Sequence, residues 1–100
     1  MKKNILVIGR HPQILETVVR LINSQPETKA IGALSDDEAK KVFGEQTFDL
    51  VLIGGGVEEK SEAELKIFFE KVNPKIKIIK HYGGGSGLLF NEITEAINSN

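Results

Sequence analysis

Four times along the chain a short apolar run gives way to a loop and then to apolar residues at helical spacing. This rhythm predicts βα units and a parallel sheet, because strands that read as unbroken apolar runs need helices over both faces. The first unit is Ile5-Leu6-Val7-Ile8, the loop Gly9-Arg10-His11, and a helix opened by Pro12 in which Ile14, Leu15, Val18, Leu21 and Ile22 recur at helical spacing. Pro26 lies just beyond its end. The second is the weaker strand Ala30-Ile31-Gly32-Ala33-Leu34, then a helix with a capping box of Ser35 and Glu38, stopped at Gly44. The third is Phe48-Asp49-Leu50-Val51-Leu52-Ile53, the loop Gly54-Gly55-Gly56, and a helix begun by a second capping box, Ser61 with Glu64, that buries Leu65, Phe68, Phe69 and Val72. The fourth strand runs from Ile76 to Tyr82, and Gly83-Gly84-Gly85-Ser86-Gly87 leads into a last helix carrying Leu88, Leu89, Ile93 and Ile97.

Strand character also predicts strand order. The first and third strands are unbroken and belong in the middle; the second, with its glycine, and the fourth, with Lys75, Lys77 and Lys80 among isoleucines, read as edges. The order is then 2-1-3-4, in a flavodoxin-like three-layer αβα sandwich of four βα units. Right-handed crossovers put the first and last helices on one face, the middle two on the other, and the topological switch between strands 1 and 3.

Ligands of such sheets bind at the switch, at the carboxyl ends of the strands. Three loops converge there, holding Arg10 and His11, then Gly54, Gly55 and Gly56, then Lys80, His81, Gly83, Gly84 and Ser86. Glycines allow close approach of backbone N–H groups and helix amino ends supply partial positive charge, so these residues can cradle a phosphate or carboxylate. The alternative is that short βα loops need glycine for steep turns and that the basic residues are solvated. The glycine run before the last helix lacks the Lys-Ser/Thr ending of a P-loop and the spacing of a dinucleotide fingerprint. A nucleophilic Ser86 with His81 as base lacks an orienting carboxylate in the same loops, and Ser86 reads more simply as an N-cap. His11 and His81 fall about two strand spacings apart, roughly 10 Å, too far to share a metal. The acids Asp36-Asp37-Glu38 and Glu58-Glu59 sit at helix starts, where they compensate the dipole. No catalytic residue, metal site or cofactor is expected.

Composition narrows the classes further. With 100 residues, 40% hydrophobic and 27% charged, one globular domain spanning 1–100 is expected. Thirteen basic and 14 acidic residues give a net charge of -1, which excludes a chain-wide field for nucleic acid or an anionic membrane. The absence of cysteine suits a reducing compartment, and the apolar run after Met1-Lys2-Lys3-Asn4 is too short for a leader or a membrane span, so a cytoplasmic location is expected.

Over roughly residues 2–82 the pattern resembles the receiver domain of bacterial response regulators. Asn4-Ile5-Leu6-Val7-Ile8-Gly9-Arg10-His11-Pro12 is similar to its first strand and acidic loop, and Phe48-Asp49-Leu50-Val51-Leu52-Ile53-Gly54 to its phosphoacceptor strand. The resemblance implies that Gly9 and Arg10 stand where a receiver carries the acidic pair that holds Mg²⁺, and that Gly54 stands where it carries the phosphoacceptor aspartate. Lys80-His81-Tyr82 stands where Lys-Pro-Phe is usual, if one βα unit is missing. The 18 residues after Tyr82 allow a helix but no further strand, so the output face of a receiver is truncated. A non-catalytic module acting through a protein partner or as a homodimer is therefore expected, without phosphotransfer. The alternatives are a sensor of a phosphorylated or carboxylated small molecule and a subunit that needs another chain to complete an active site.

Overall fold

The structure is a computed structural model and describes residues 2–81 and 86–98, with side chains for all of these except 86–88. Its elements alternate as expected: β1 (Lys3–Ile8), α1 (Pro12–Asn23), β2 (Thr28–Ala33), α2 (Asp36–Glu45), β3 (Leu50–Gly54), α3 (Glu59–Val72), β4 (Lys77–His81) and α4 (Ser86–Asn98). All strand pairs are parallel and the order is β2-β1-β3-β4. The fold is flavodoxin-like.

Successive side chains of a strand point to opposite faces, and the two central strands divide accordingly. Leu6 and Ile8 of β1 and Val51 and Ile53 of β3 pack with Ala39, Phe43, Leu65 and Phe69 of α2 and α3. Ile5, Val7, Leu50 and Leu52 pack on the other face with Leu15 and Ile22 of α1 and Leu89 and Ile93 of α4. The same alternation runs through β4, where Ile78 joins the first cluster and Ile79 the second. In the first cluster Phe43 stacks with Phe48 and packs tilted against Phe69.

Glycine in β2 has a packing cause. A Cβ at Gly32 would lie 3.0 Å from Leu15 Cγ and 3.1 Å from Val19 Cγ2, so its absence lets α1 sit close over the β2 edge. At the other edge the lysines of β4 are engaged rather than only solvated. Lys77 donates to the Ile97 carbonyl and Lys80 to Glu62.

Several element boundaries differ from expectation. The Ser35 hydroxyl accepts from Glu38 N–H at 3.1 Å, but the Glu38 carboxylate accepts from Leu34 N–H rather than from Ser35, and Leu34 lies beyond β2. The second capping box does not form: α3 starts two residues before Ser61, with Glu58 as N-cap, and the Ser61 hydroxyl donates to Glu58 at 3.2 Å. Gly44 does not stop α2, because the position is exposed and the helix passes through it to Glu45. Val72 is 56% exposed instead of buried, since α3 ends there beside a shallow hollow formed by the end of α2 and the loop after it. Tyr82, expected in β4, lies outside the described residues.

Gly32→Val is expected to destabilise the fold by about 1–3 kcal/mol through overpacking against Leu15 and Val19. Urea unfolding of the variant checks this; an unchanged midpoint would mean that α1 can move off β2 without cost.

Candidate functional site

The carboxyl ends of β1, β3 and β4 lie side by side, with Ile8 opposite Ile53 and Gly54 opposite His81. Gly9 N–H donates to the Ala33 carbonyl at 3.0 Å, and the chain then turns away into Arg10 and His11. At Gly54 the two central strands leave little room: a Cβ there would stand 3.0 Å from the Ile8 carbonyl oxygen, a backbone atom held in the sheet. Gly55 and Gly56 follow in a turn closed by Val57 N–H donating to the Gly54 carbonyl at 3.2 Å, and Val57 is buried under it.

Arg10 does not extend into solvent. Its guanidinium donates to Asp36 in the first turn of α2 at 2.6 Å, to the Leu34 carbonyl at 3.1 Å and to Glu58, the N-cap of α3, at 3.5 Å. One side chain therefore ties together the loops that follow β1, β2 and β3. The hydrogen bond to Asp36 pushes the Arg10 pKa further up, against the opposing effect of burial. Burial pushes the Asp36 carboxyl up, but the hydrogen bond and charge of Arg10 outweigh it and hold Asp36 below its ordinary value.

The other basic residues of β4 are also paired. Lys80 Nζ lies 2.7 Å from Glu62 of α3, and both side chains are largely buried. The Lys80 hydrogen bond, against a smaller effect of burial, holds the Glu62 carboxyl below its ordinary value. His81 Nδ1 lies 3.0 Å from Glu92 of α4. The carboxylate beside His81 thus comes from the following helix, not from the loops in which the sequence offered none.

Of the expected cradle, the structure thus brings Arg10, His11, Gly54, Gly55, Gly56 and His81 around one hollow, while Lys80 turns to the opposite face of the sheet. His11 is exposed at the N-cap of α1 and makes no side-chain capping bond. Gly83 and Gly84 lie outside the described residues, as does the side chain of Ser86, the first residue of α4. An anion entering the hollow would compete with Asp36 and Glu58 for Arg10 and with Glu92 for His81. The hollow, about 570 Å³ in all, continues between α1 and α4 as a groove over Val7 and Leu52, walled by Ile14, Val18 and Leu21 on one side and Leu89 on the other. Ile14 is 62% exposed at its mouth, although its helical spacing matches the buried Leu15 and Ile22 stripe.

No protein-family model matches the chain, and no curated protein matches it in sequence. Solved structures do match in fold. A response regulator receiver domain protein from Clostridium thermocellum superposes with a TM-score of 0.71 at 22% identity, over 94% of this chain and 76% of that one. The response regulator domain of Thermotoga maritima CheB gives a TM-score of 0.78 at 16% identity, over 100% of this chain and 99% of that one. A chain from the complex of the phosphorylated P1 domain of CheA3 with CheY6 from R. sphaeroides gives 0.63 at 17% identity, over 94% and 97%. The fold of this chain is that of response-regulator receiver domains.

Two expectations follow from the site. Gly54→Ala should lower stability by about 1–3 kcal/mol, because the methyl group presses on strand backbone; unchanged urea unfolding would show that the strands separate freely there. The depressed Glu62 carboxyl contributes stability that is fully present above its ordinary value of 4.5 and is lost as pH falls through its lower folded value. Glu62→Gln should therefore be less stable at neutral pH and should show a shallower fall in urea midpoint below pH about 4.5. Parallel pH profiles for the two proteins would contradict the pairing with Lys80.

Proposed function

We propose that this chain is a signalling or regulatory module of receiver fold that acts through contacts with another protein, or with itself, and carries out no phosphotransfer. What carries the reading is the chemistry at the ends of β1 and β3. Phosphoryl transfer to a receiver needs a carboxylate acceptor and oxygen ligands for a divalent cation. Here Gly54 stands at the end of β3 with the Ile8 carbonyl against it, and the Arg10 guanidinium spans Asp36 and Glu58.

The residues do not fit a magnesium ion. A hard dication takes oxygen donors at short range. The two carboxylates nearest the switch are already held by a fixed cation that brings five N–H donors and no acceptor. A magnesium ion would have to displace Arg10, at the cost of the three loops it ties.

A protein-contact role is supported by the outer stripe of α1. Ile14, Val18 and Leu21 line one side of an open groove, and their neighbours Gln13 and Thr17 are uncharged. Interface cores are depleted of charge in this way. One fold neighbour, CheY6, is solved with a protein partner, the P1 domain of CheA3.

Exposure of the purified protein to acetyl phosphate and Mg²⁺ tests the reading. Intact-protein mass spectrometry should find no phosphoryl adduct, and Mg²⁺ should leave the unfolding temperature unchanged. A phosphoryl adduct on an aspartate or glutamate, released by hydroxylamine, would overturn it.

A further inference from the structure

We propose that the groove between α1 and α4 is a binding site for a small, uncharged, mainly apolar molecule bearing one hydroxyl group, which hydrogen-bonds to His81 Nε2. This does not rest on the signalling reading: Val18 and Leu21 serve in both, but the occupant is a different kind of partner and is recognised through His81.

The volume comes first. The groove and the hollow at the strand ends together enclose about 570 Å³, within the roughly 300–1,000 Å³ of pockets that take small ligands, and the groove's walls are the apolar side chains Val18, Leu21, Leu52 and Leu89. Gly32 helps to make the space: because α1 can approach β2 so closely, it sits over the sheet edge rather than over the centre. The middle of that face is then covered from one side by α1 and from the other by α4, with the groove between them.

The polar anchor comes second. An apolar site gains orientation and specificity from a few fixed polar groups. His81 lines the groove, and its side chain is only 12% exposed. Glu92 lies 3.0 Å from Nδ1, and an ionised carboxylate can only accept a hydrogen bond. Nδ1 therefore carries a ring proton toward Glu92, and Nε2 is the ring nitrogen left to hydrogen-bond a ligand hydroxyl, which can accept as well as donate. The Glu92 contact also holds the ring in place, so little orientational freedom is lost when a hydroxyl arrives.

The electrostatics select the ligand's charge. Among the described residues that line the groove, Arg10 is the one with a permanent charge, and its guanidinium is engaged with Asp36, Glu58 and the Leu34 carbonyl. Among the described residues no unpaired permanent charge compensates a charged ligand in this apolar setting, whereas a hydroxyl finds a hydrogen-bond partner in His81.

Para-propylphenol and propylbenzene are suitable probes, because they differ by the hydroxyl alone. Each is titrated into the isotope-labelled protein while the backbone amides are followed by NMR. The expected result is saturable shifts at Val18, Leu21, Leu52 and Leu89, with the phenol bound about tenfold more tightly than propylbenzene. That preference should vanish in His81→Phe and shrink in Glu92→Gln, which keeps the ring; Val18→Glu should weaken both probes. The proposal is overturned if neither probe shifts these amides, if both bind equally to the wild type, or if Glu92→Gln leaves the preference intact. It is equally overturned if the same amides shift with protein concentration alone, which would make a second copy of the chain the occupant.

Discussion

The two central strands are buried on both faces, and the rest of the molecule is arranged around that requirement. Leu6, Ile8, Val51 and Ile53 need cover on one side, and Ile5, Val7, Leu50 and Leu52 on the other. Parallel strands meet it with crossover helices, two per face, and the carboxyl ends of β1 and β3 are thereby fixed next to each other at the switch point. The site is a consequence of the core. Gly54 sits where neighbouring strand backbone leaves little space for a side chain, and Arg10 leaves β1 at the one place from which it can reach the first turns of both α2 and α3.

At that switch point the charges are balanced internally. Asp36 and Glu58 compensate the amino ends of their helices and at the same time receive Arg10. Lys80 with Glu62 does the same work on the α3 side of β4, and His81 with Glu92 on the α4 side. A receiver-like sheet thus ends in a set of salt bridges between its own elements. What remains open to other molecules on this side is largely apolar: the α1 stripe and the groove beside it.

The strand order and the helix faces were legible in the sequence because they follow from local patterns, namely unbroken apolar runs for β1 and β3, mixed edges for β2 and β4, and helical spacing between them. Helix starts and stops were less legible. Ser61 and Glu64 have the spacing of a capping box, yet the helix has its N-cap three residues earlier at Glu58, and the Ser61 hydroxyl donates to the Glu58 carboxylate. The side-by-side carboxyl ends of β1, β3 and β4 follow from that order, but the partners of the basic residues there were not legible. Asp36, Glu62 and Glu92 are 26, 18 and 11 residues from the basic groups they meet, and no local spacing rule links them. Once the order 2-1-3-4 and the helix faces are known, those acids fall on the elements beside Arg10, Lys80 and His81. The glycine of β2 was legible as a weak strand, while its cause, the close seat of α1, needed the packing.

The central claim is that Arg10 serves as the fixed cation that closes the switch point. A double-mutant cycle with Arg10→Met and Asp36→Asn, read by urea unfolding at neutral pH, tests it most directly. The two side chains are 2.6 Å apart and partly shielded, so a favourable coupling is predicted; for contacting charged groups its size is about 0.5–3 kcal/mol. Additive effects of the two substitutions would contradict the account, because Arg10 would then be an ordinary surface residue and the switch point would be open to other cations.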